Sequence, residues 1–266
     1  MRAQQRVPEL TQAVTDMRRW QSDVPISTEA ALRLLRDGEL TVAGRVTEAS
    51  NVVLWCELQV PWPLPQGIGS LHAVYKPIRG ERPLVDFPTG TLALREVAAW
   101  LVSEAIGWSV VPPTVVGDGP AGEGMVQLWI ETDEATDILR MILTRDERLR
   151  RMAVFDVLVN NADRKGGHVL VTEDGVHGCD HGICFSADPK LRTVLWGWRG
   201  ESLLDEEREM LARVLDALRG TLGEQLAPLL DVTEIDALGS RAEQLLRADR
   251  MPLPDPYRHI IPWPPF

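Results

Sequence analysis

The feature that most constrains the fold of this chain is a change of hydrophobic period close to Glu131. From Glu39 the apolar residues recur at nearly every second position. LTVAGRV and NVVLWCELQV are rich in β-branched and aromatic residues around a polar EASN turn, which predicts a hairpin. A Pro-rich break, PWPLPQG, precedes a third strand, LHAVYKP, and VVPPTVV and GMVQLWIE predict two more around a Gly-rich turn, DGPAGEG. After Glu131 the period becomes helical, through ILRMIL, LRRMAVFDVLVNN, LLDEEREMLARVLDALRG and VTEIDALGSRAEQLLR. A chain patterned this way must pack a sheet in its first half and helices in its second.

Two segments interrupt this order. Ser27 or Thr28 caps EAALRLLRDG, in which Ala31, Leu34 and Leu35 form an apolar stripe and Gly38 supplies the stop. TLALREVAAWLVSEAIG, 91–107, predicts a helix inside the strand-rich half. Residues 1–38 therefore form an N-terminal arm and helix, and the arm has room for one further short helix. Residues 39–131 form a β-rich lobe, and 132–266 a helical lobe with a Pro-rich tail that Tyr257, Trp263 and Phe266 are expected to clamp to the body.

The chain has 266 residues, 44% of them hydrophobic and 25% charged, as in ordinary soluble proteins. No apolar run of about 18 residues is present and MRAQQRVPEL lacks the core of a secretion signal, so a cytoplasmic location is expected. Cys56, Cys179 and Cys184 are too few and scattered for a disulfide framework. A net charge of −11 argues against nucleic-acid binding and against constitutive docking on anionic membranes. The densest basic stretch, RDERLRR at 145–151, carries its own acids and suits a solvated helix face.

Chemistry is concentrated in NNADRKGGHVLV, 160–171, and CDHGICF, 179–185. A loop presenting Asp163 and Arg164, a β-like run, and then Asp180 before a glycine suit phosphoryl transfer to a hydroxyl. One carboxylate can orient the acceptor while the other holds a metal on ATP. Read in isolation, Asp163 is equally a turn-forming Asp in Asn-Ala-Asp-Arg.

The loop pair and the order of the lobes resemble the protein-kinase-like superfamily, in its phosphatidylinositol 3/4-kinase and HipA-like branch. The chain also looks like a member of an actinobacterial family with a distant kinase relationship. The resemblance spans roughly residues 39–200, and only the loop pair is specific. It implies a two-lobed α+β protein-kinase-like fold with a β-rich N-lobe, a mainly helical C-lobe, and ATP with Mg²⁺ or Mn²⁺ as cofactors. Asp163-Arg164 matches the Asp-Arg of a catalytic Asp-Arg-His-x-x-Asn loop, and Asp180-His181-Gly182 approaches Asp-Phe-Gly. By that resemblance Asp163 is the catalytic aspartate, Arg164 braces the loop and Asp180 is the metal-bridging carboxylate. Lys76 contacts the nucleotide phosphates and Glu96 is its ion-pair partner.

The chain departs from the family pattern in several places. His168 replaces the second metal-ligating Asn, which suits Mn²⁺ better than Mg²⁺. Lys165 replaces the family histidine and could touch a phosphate, while Asn160 and Asn161 are candidates either for the lost amide contact or for ending a helix. No glycine-rich phosphate loop is present, so Ser50 and Asn51 of the EASN turn take its place, and backbone groups of Gln127, Leu128, Trp129 and Ile130 meet the adenine edge.

The expectation is an ATP-dependent phosphotransferase acting on a small molecule, a protein or itself. The alternatives are a nucleotide-binding pseudokinase and a zinc-dependent hydrolase. The last rests on the alternation of His177, Cys179 and His181, with Cys184 beyond, although the spacing matches no zinc knuckle.

Overall fold

The computed structural model describes residues 27–46, 51–60, 71–133, 135–172 and 175–266. Most of the expected arm, most of the EASN turn with Ser50, and the Pro-rich break lie outside the described residues. The chain divides into two compact units, Met1–Leu94 with Pro113–Glu131, and Arg95–Pro112 with Thr132–Phe266. One division falls after Glu131, where the hydrophobic period changes. The second unit also takes Arg95–Pro112 out of the strand-rich half.

In the first unit, α1 (Thr28–Asp37) is capped by the Ser27 side chain, which accepts from the Ala30 amide, and it ends at Gly38. Five strands follow among the described residues: β1 (Glu39–Val46), β2 (Val53–Gln59), β3 (Leu71–Pro77), β4 (Thr114–Gly119) and β5 (Gly122–Leu128). They form an antiparallel sheet in the order β1-β2-β3-β5-β4. Its core joins Leu34 and Leu35 of α1 to Leu54, Cys56, Leu58, Ala73, Tyr75, Val115 and Val126 of the sheet.

DGPAGEG is strand along most of its length, and only Pro120 and Ala121 turn between β4 and β5. The reason is steric. A Cβ on Gly119 would stand 2.5 Å from Tyr75 Cζ, and one on Gly124 would stand 2.8 Å from Tyr75 Cε2, so these glycines make room for a buried ring.

Helix α2 (Leu92–Ile106) begins in the first unit and runs through the second. The second unit adds α3 (Ile138–Thr144), α4 (Arg150–Val159), the short hairpin β6 (Val169–Val171) and β7 (Val176–Gly178), α5 (Asp205–Leu218), α6 (Thr221–Leu226) and α7 (Val232–Ala248). Its buried residues include Met152, Phe155, Leu158, Met210, Leu211, Val214, Leu238 and Leu245.

Two expectations fail in this unit. RDERLRR is not one solvated face: Arg150 is buried, donating to both Glu207 carboxylate oxygens at 2.7 and 3.1 Å and to the Ser202 carbonyl at 2.9 Å. Two of the three tail aromatics do not clamp either, since Tyr257 and Trp263 are 95% and 89% exposed, and only the Phe266 ring lies against the body, at Gly166. Backbone groups hold the tail instead: the Ile260 carbonyl accepts from the Thr193 amide at 3.0 Å and from Trp196 Nε1 at 2.9 Å, and Pro262 is buried.

Candidate active site

The site is built around a carboxylate inside α4. Asp156 has no exposed surface, and a charge so placed requires partners. Arg164, also fully buried, donates from Nε to both Asp156 oxygens at 3.0 and 3.1 Å. Asn161 Nδ2 and Thr193 Oγ1 donate to the same carboxylate at 3.0 and 3.1 Å. The Asp156 charge thus ties the end of its own helix to the loop that follows and to the segment around Thr193.

Arg164 carries the constraint further. Its Nη1 donates to the carbonyls of His168 and Cys179 at 3.3 and 3.0 Å, and its Nη2 lies 2.6 Å from His181 Nε2. An arginine can only donate, so Nε2 is the unprotonated nitrogen of His181. The His181 amide in turn donates to Glu96 Oε2 on α2 at 2.8 Å. Gly178 leaves room for the guanidinium, because a Cβ there would come within 2.9 Å of Nη1.

One buried arginine therefore joins the 160–168 loop to the segment carrying Asp180. Arg164 has no exposed surface, so its side chain is spent on holding these segments together and has no access to a substrate. Asn160 and Asn161 are engaged in the same framework. Asn160 ends α4 in the left-handed region, donates to the Ser186 and Asp188 carbonyls at 2.8 and 2.7 Å, and accepts from the Lys190 amide at 2.9 Å. Asn161 Oδ1 accepts from the Asp163 amide at 2.9 Å. Both asparagine side chains are buried, Asn160 turned to the 186–190 segment and Asn161 to Asp156 and the loop, not to a ligand.

Asp163, Lys165, His168 and Asp180 stand on the outer side of this framework. Lys165 Nζ lies 3.1 Å from Asp163 Oδ2, and His168 Nε2 lies 3.2 Å from Asp180 Oδ2. Asp180 has a left-handed backbone, φ 60°, which presents its half-exposed side chain beyond the hairpin. Burial pushes the Asp163 carboxyl above the ordinary aspartate value; Lys165 opposes the shift, and the Asp180 charge adds to it.

That mutual repulsion of Asp163 and Asp180 is what a divalent cation would relieve, so the donor set fits an ion. Among the described residues no three His, Cys, Asp or Glu side chains gather into a cage for a metal. An ion bound here would need oxygens from phosphate or water as well, which is the habit of Mg²⁺ and Mn²⁺ at nucleotides.

The zinc alternative does not fit. His177 pairs with the Ser109 carbonyl at 2.7 Å, His181 is buried against Arg164, and burial pushes the Cys184 thiol well above its ordinary value.

In the first unit, Lys76 is half-buried on β3 opposite Met125 of β5. The Asn51 side-chain oxygen accepts from the Arg82 amide at 2.8 Å. The amides of Leu128 and Trp129 donate to the Pro113 and His72 carbonyls at 2.9 and 3.0 Å. Gln127, on the strand between β3 and β4, uses its side chain on Thr114 Oγ1 at 2.9 Å. The amides of Leu128 and Trp129 are thus occupied, and a base edge would have to use carbonyls there or the backbone from Ile130 onward.

Sequence reasoning missed Asp156, Thr193 and the structural role of His181. A signal for the first existed: AVFDVLVNN places one carboxylate in an otherwise apolar helical run.

No protein-family model matches the chain. Protein Rv2133c of Mycobacterium tuberculosis is 46% identical over 269 residues, which span 88% of this chain and 94% of that protein. The chain belongs to the family of Rv2133c. Phosphatidylinositol 4-kinase gamma 4 of Oryza sativa subsp. japonica is 30% identical over 115 residues, 36% of this chain and 20% of that enzyme.

Among solved structures, that of hydra Fam20 with sugar matches with a TM-score of 0.54 at 16% identity, covering 85% of this chain and 89% of that one. The Golgi casein kinase with Mn/ADP bound matches with a TM-score of 0.55 at 14% identity, covering 83% and 75%. The chain thus has an α+β fold of the protein-kinase-like kind. Among the described residues no helix is long and apolar enough to cross a membrane.

Proposed function

We propose that this member of the Rv2133c family is an ATP-dependent phosphotransferase that moves the γ-phosphoryl group to an acceptor hydroxyl on a small molecule, a protein or itself. The observation that carries the reading is the buried Arg164–Asp156 pair, which fastens Asp163 and Asp180, from separate sequence motifs, to one framework.

In this reading Asp163 orients the acceptor hydroxyl and takes its proton. Lys165 offsets the cost of keeping that carboxylate charged while half-buried, and its ammonium would exchange that anion for a transferred phosphate. Asp180 and His168 would hold Mg²⁺ or Mn²⁺, and such an ion would neutralise charge on the β- and γ-phosphate oxygens. The Mn/ADP carried by the Golgi casein kinase supports this pairing of nucleotide and metal. Lys76 is assigned to the phosphates. Glu96 is reassigned in part, because one of its oxygens already receives the His181 amide and holds the Asp180 segment. A net charge of −11 favours an acceptor other than a nucleic acid or an anionic membrane, in spite of the short phosphatidylinositol 4-kinase match.

One observation favours a second reading, a nucleotide-binding pseudokinase: both candidate carboxylates are paired within the chain, Asp163 with Lys165 and Asp180 with His168. Two measurements separate the readings. Thermal shifts with ATP, ADP or GTP plus Mg²⁺ or Mn²⁺ test binding, and release or transfer of radiolabelled γ-phosphate tests turnover. A phosphotransferase shows both and loses only turnover in Asp163→Asn. A pseudokinase shows the shift alone, and a protein with neither response is neither of these.

A further inference from the structure

The catalytic-loop glycine Gly166 makes a contact that its own conformation does not explain. Its φ is not positive, so backbone freedom is not what the position requires. Space is. A Cβ built on Gly166 would clash with Cδ1 and Cε1 of the Phe266 ring and stand 3.2 Å from its Cζ. The Gly166 amide also donates to the Pro265 carbonyl at 2.8 Å.

Gly166 opens the 3-10 turn Gly166–His168, directly after Lys165. The first amides of such a turn have no partner within it, and here the tail supplies one. Pro265 and Phe266 therefore fix the stretch of loop between Asp163 and His168 from outside.

The rest of the tail is anchored independently. Met251 exchanges backbone hydrogen bonds with its neighbours, its carbonyl accepting from Gly200 at 3.0 Å and its amide donating to Glu201 at 2.8 Å. Arg258 donates to the Pro189 carbonyl, and Ile260 is held by Thr193 and Trp196. Thr193 is itself a partner of Asp156, so the tail is tied to the same buried carboxylate that organises the loop. Anchors spread along the tail and made chiefly through backbone describe a permanent part of the site, not a gate.

We infer that the 260–266 segment is a positioning element for phosphoryl transfer, with Pro265 and Phe266 holding the Lys165–His168 stretch so that Asp163 keeps its productive geometry. The inference rests on the phosphotransferase reading. Phe266 is a positioning residue, acting through Gly166.

The test uses the full-length chain as wild type, Gly166→Ala, Phe266→Ala, Phe266→Leu and the Gly166→Ala/Phe266→Ala double variant. Three quantities are read: metal-dependent phosphate release from ATP, the nucleotide-induced thermal shift, and amide hydrogen exchange in the peptide containing residues 165–168. Gly166→Ala should lower kcat about 10²-fold through a small loop displacement, with KM for ATP and the nucleotide shift retained. Its Gly166-region amides should exchange faster. Phe266→Ala should show the same pattern more weakly, and Phe266→Leu should restore most of the turnover.

The decisive arm is the double variant. Removing the ring gives the added Cβ its room, so turnover should recover relative to Gly166→Ala alone, a coupling expected only of groups in contact. A double variant no better than Gly166→Ala overturns the inference. So does Phe266→Ala that leaves turnover and exchange unchanged, or that raises turnover, which would make the tail a brake. If the wild type releases no phosphate, the phosphotransferase reading fails by itself, and the exchange data still decide whether Phe266 holds the loop.

Discussion

At the scale of single residues, the site is a contrast between one charge that is buried and matched and others that are left near the surface. Asp156 meets four donors from three residues without solvent, so removing its charge leaves Arg164 buried and unpaired. Asp156→Asn should cost about 3–5 kcal/mol, read as a lower denaturant midpoint, whereas Arg219→Ala, in a surface pair, should leave the midpoint unchanged. Asp163 carries the opposite sign. Its folded carboxyl titrates above the ordinary value, chiefly because of burial, so the folded chain binds that proton more tightly than the unfolded chain does. Its contribution to stability is complete below the unfolded carboxylate value and is lost as pH rises through the raised folded value. Asp163→Asn cannot ionise, so it should melt above the wild type at neutral pH and lose that advantage on acidification through the carboxylate range, while its phosphate release is abolished throughout. Melting curves of both proteins from acid to neutral pH check this, and parallel curves would contradict the shift.

Elements show why part of this was legible in the sequence and part was not. The strands and the long helices were readable because a period of two or of 3.6 is set by which side chains face the core, as with Leu54, Cys56 and Leu58 on β2. Gly119 and Gly124 of DGPAGEG were misread because a turn and a close approach leave the same residue in the sequence, and only the position of the Tyr75 ring distinguishes them. Arg150 and the tail were misread for a related reason. Their partners, Glu207, Thr193 and Trp196, are distant in sequence, and neither composition nor period records such pairing. The loop pair was found through its residue types, but the framework beneath it was not, since Asp156 and Thr193 match no spacing rule. The close approach at Gly124 also gives a test of β3. A Cβ there would overlap the Lys76 carbonyl oxygen and come within 2.7 Å of Pro77 Cα, and backbone atoms cannot rotate away. Gly124→Ala should therefore separate β3 from β5 at Lys76, destabilising the chain by about 1–3 kcal/mol and weakening the nucleotide-induced thermal shift. Gly167→Ala, where nothing lies within 4 Å of the new Cβ, should melt like the wild type.

At the scale of the whole molecule, charge decides how a nucleotide can be taken up. The chain carries 39 Asp and Glu against 28 Lys and Arg, a net charge of −11, and ATP is itself a polyanion. The long-range field therefore opposes binding, and any cation proposed to meet the phosphates must act against it. Lys165 is already paired with Asp163, which reduces what it offers to a free phosphate. A divalent ion would change the sign of the local problem, because it would lower the ligand's charge and offset that of Asp180. Nucleotide-induced stabilisation should then depend on metal far more than in a basic protein. With Mg²⁺ or Mn²⁺ and ATP at 100 times the dissociation constant, the gain should be about 2.7 kcal/mol, a rise in melting temperature of roughly 5–10 °C for a chain of this size. Chelation with EDTA should abolish most of it, and moderate salt should restore a small part by screening the repulsion. Asp180→Ala should reduce the metal-dependent gain while leaving the metal-free response unchanged. An equal shift with and without metal would show that the chain's own cations suffice, and that Asp180 and His168 do not serve a nucleotide-bound ion.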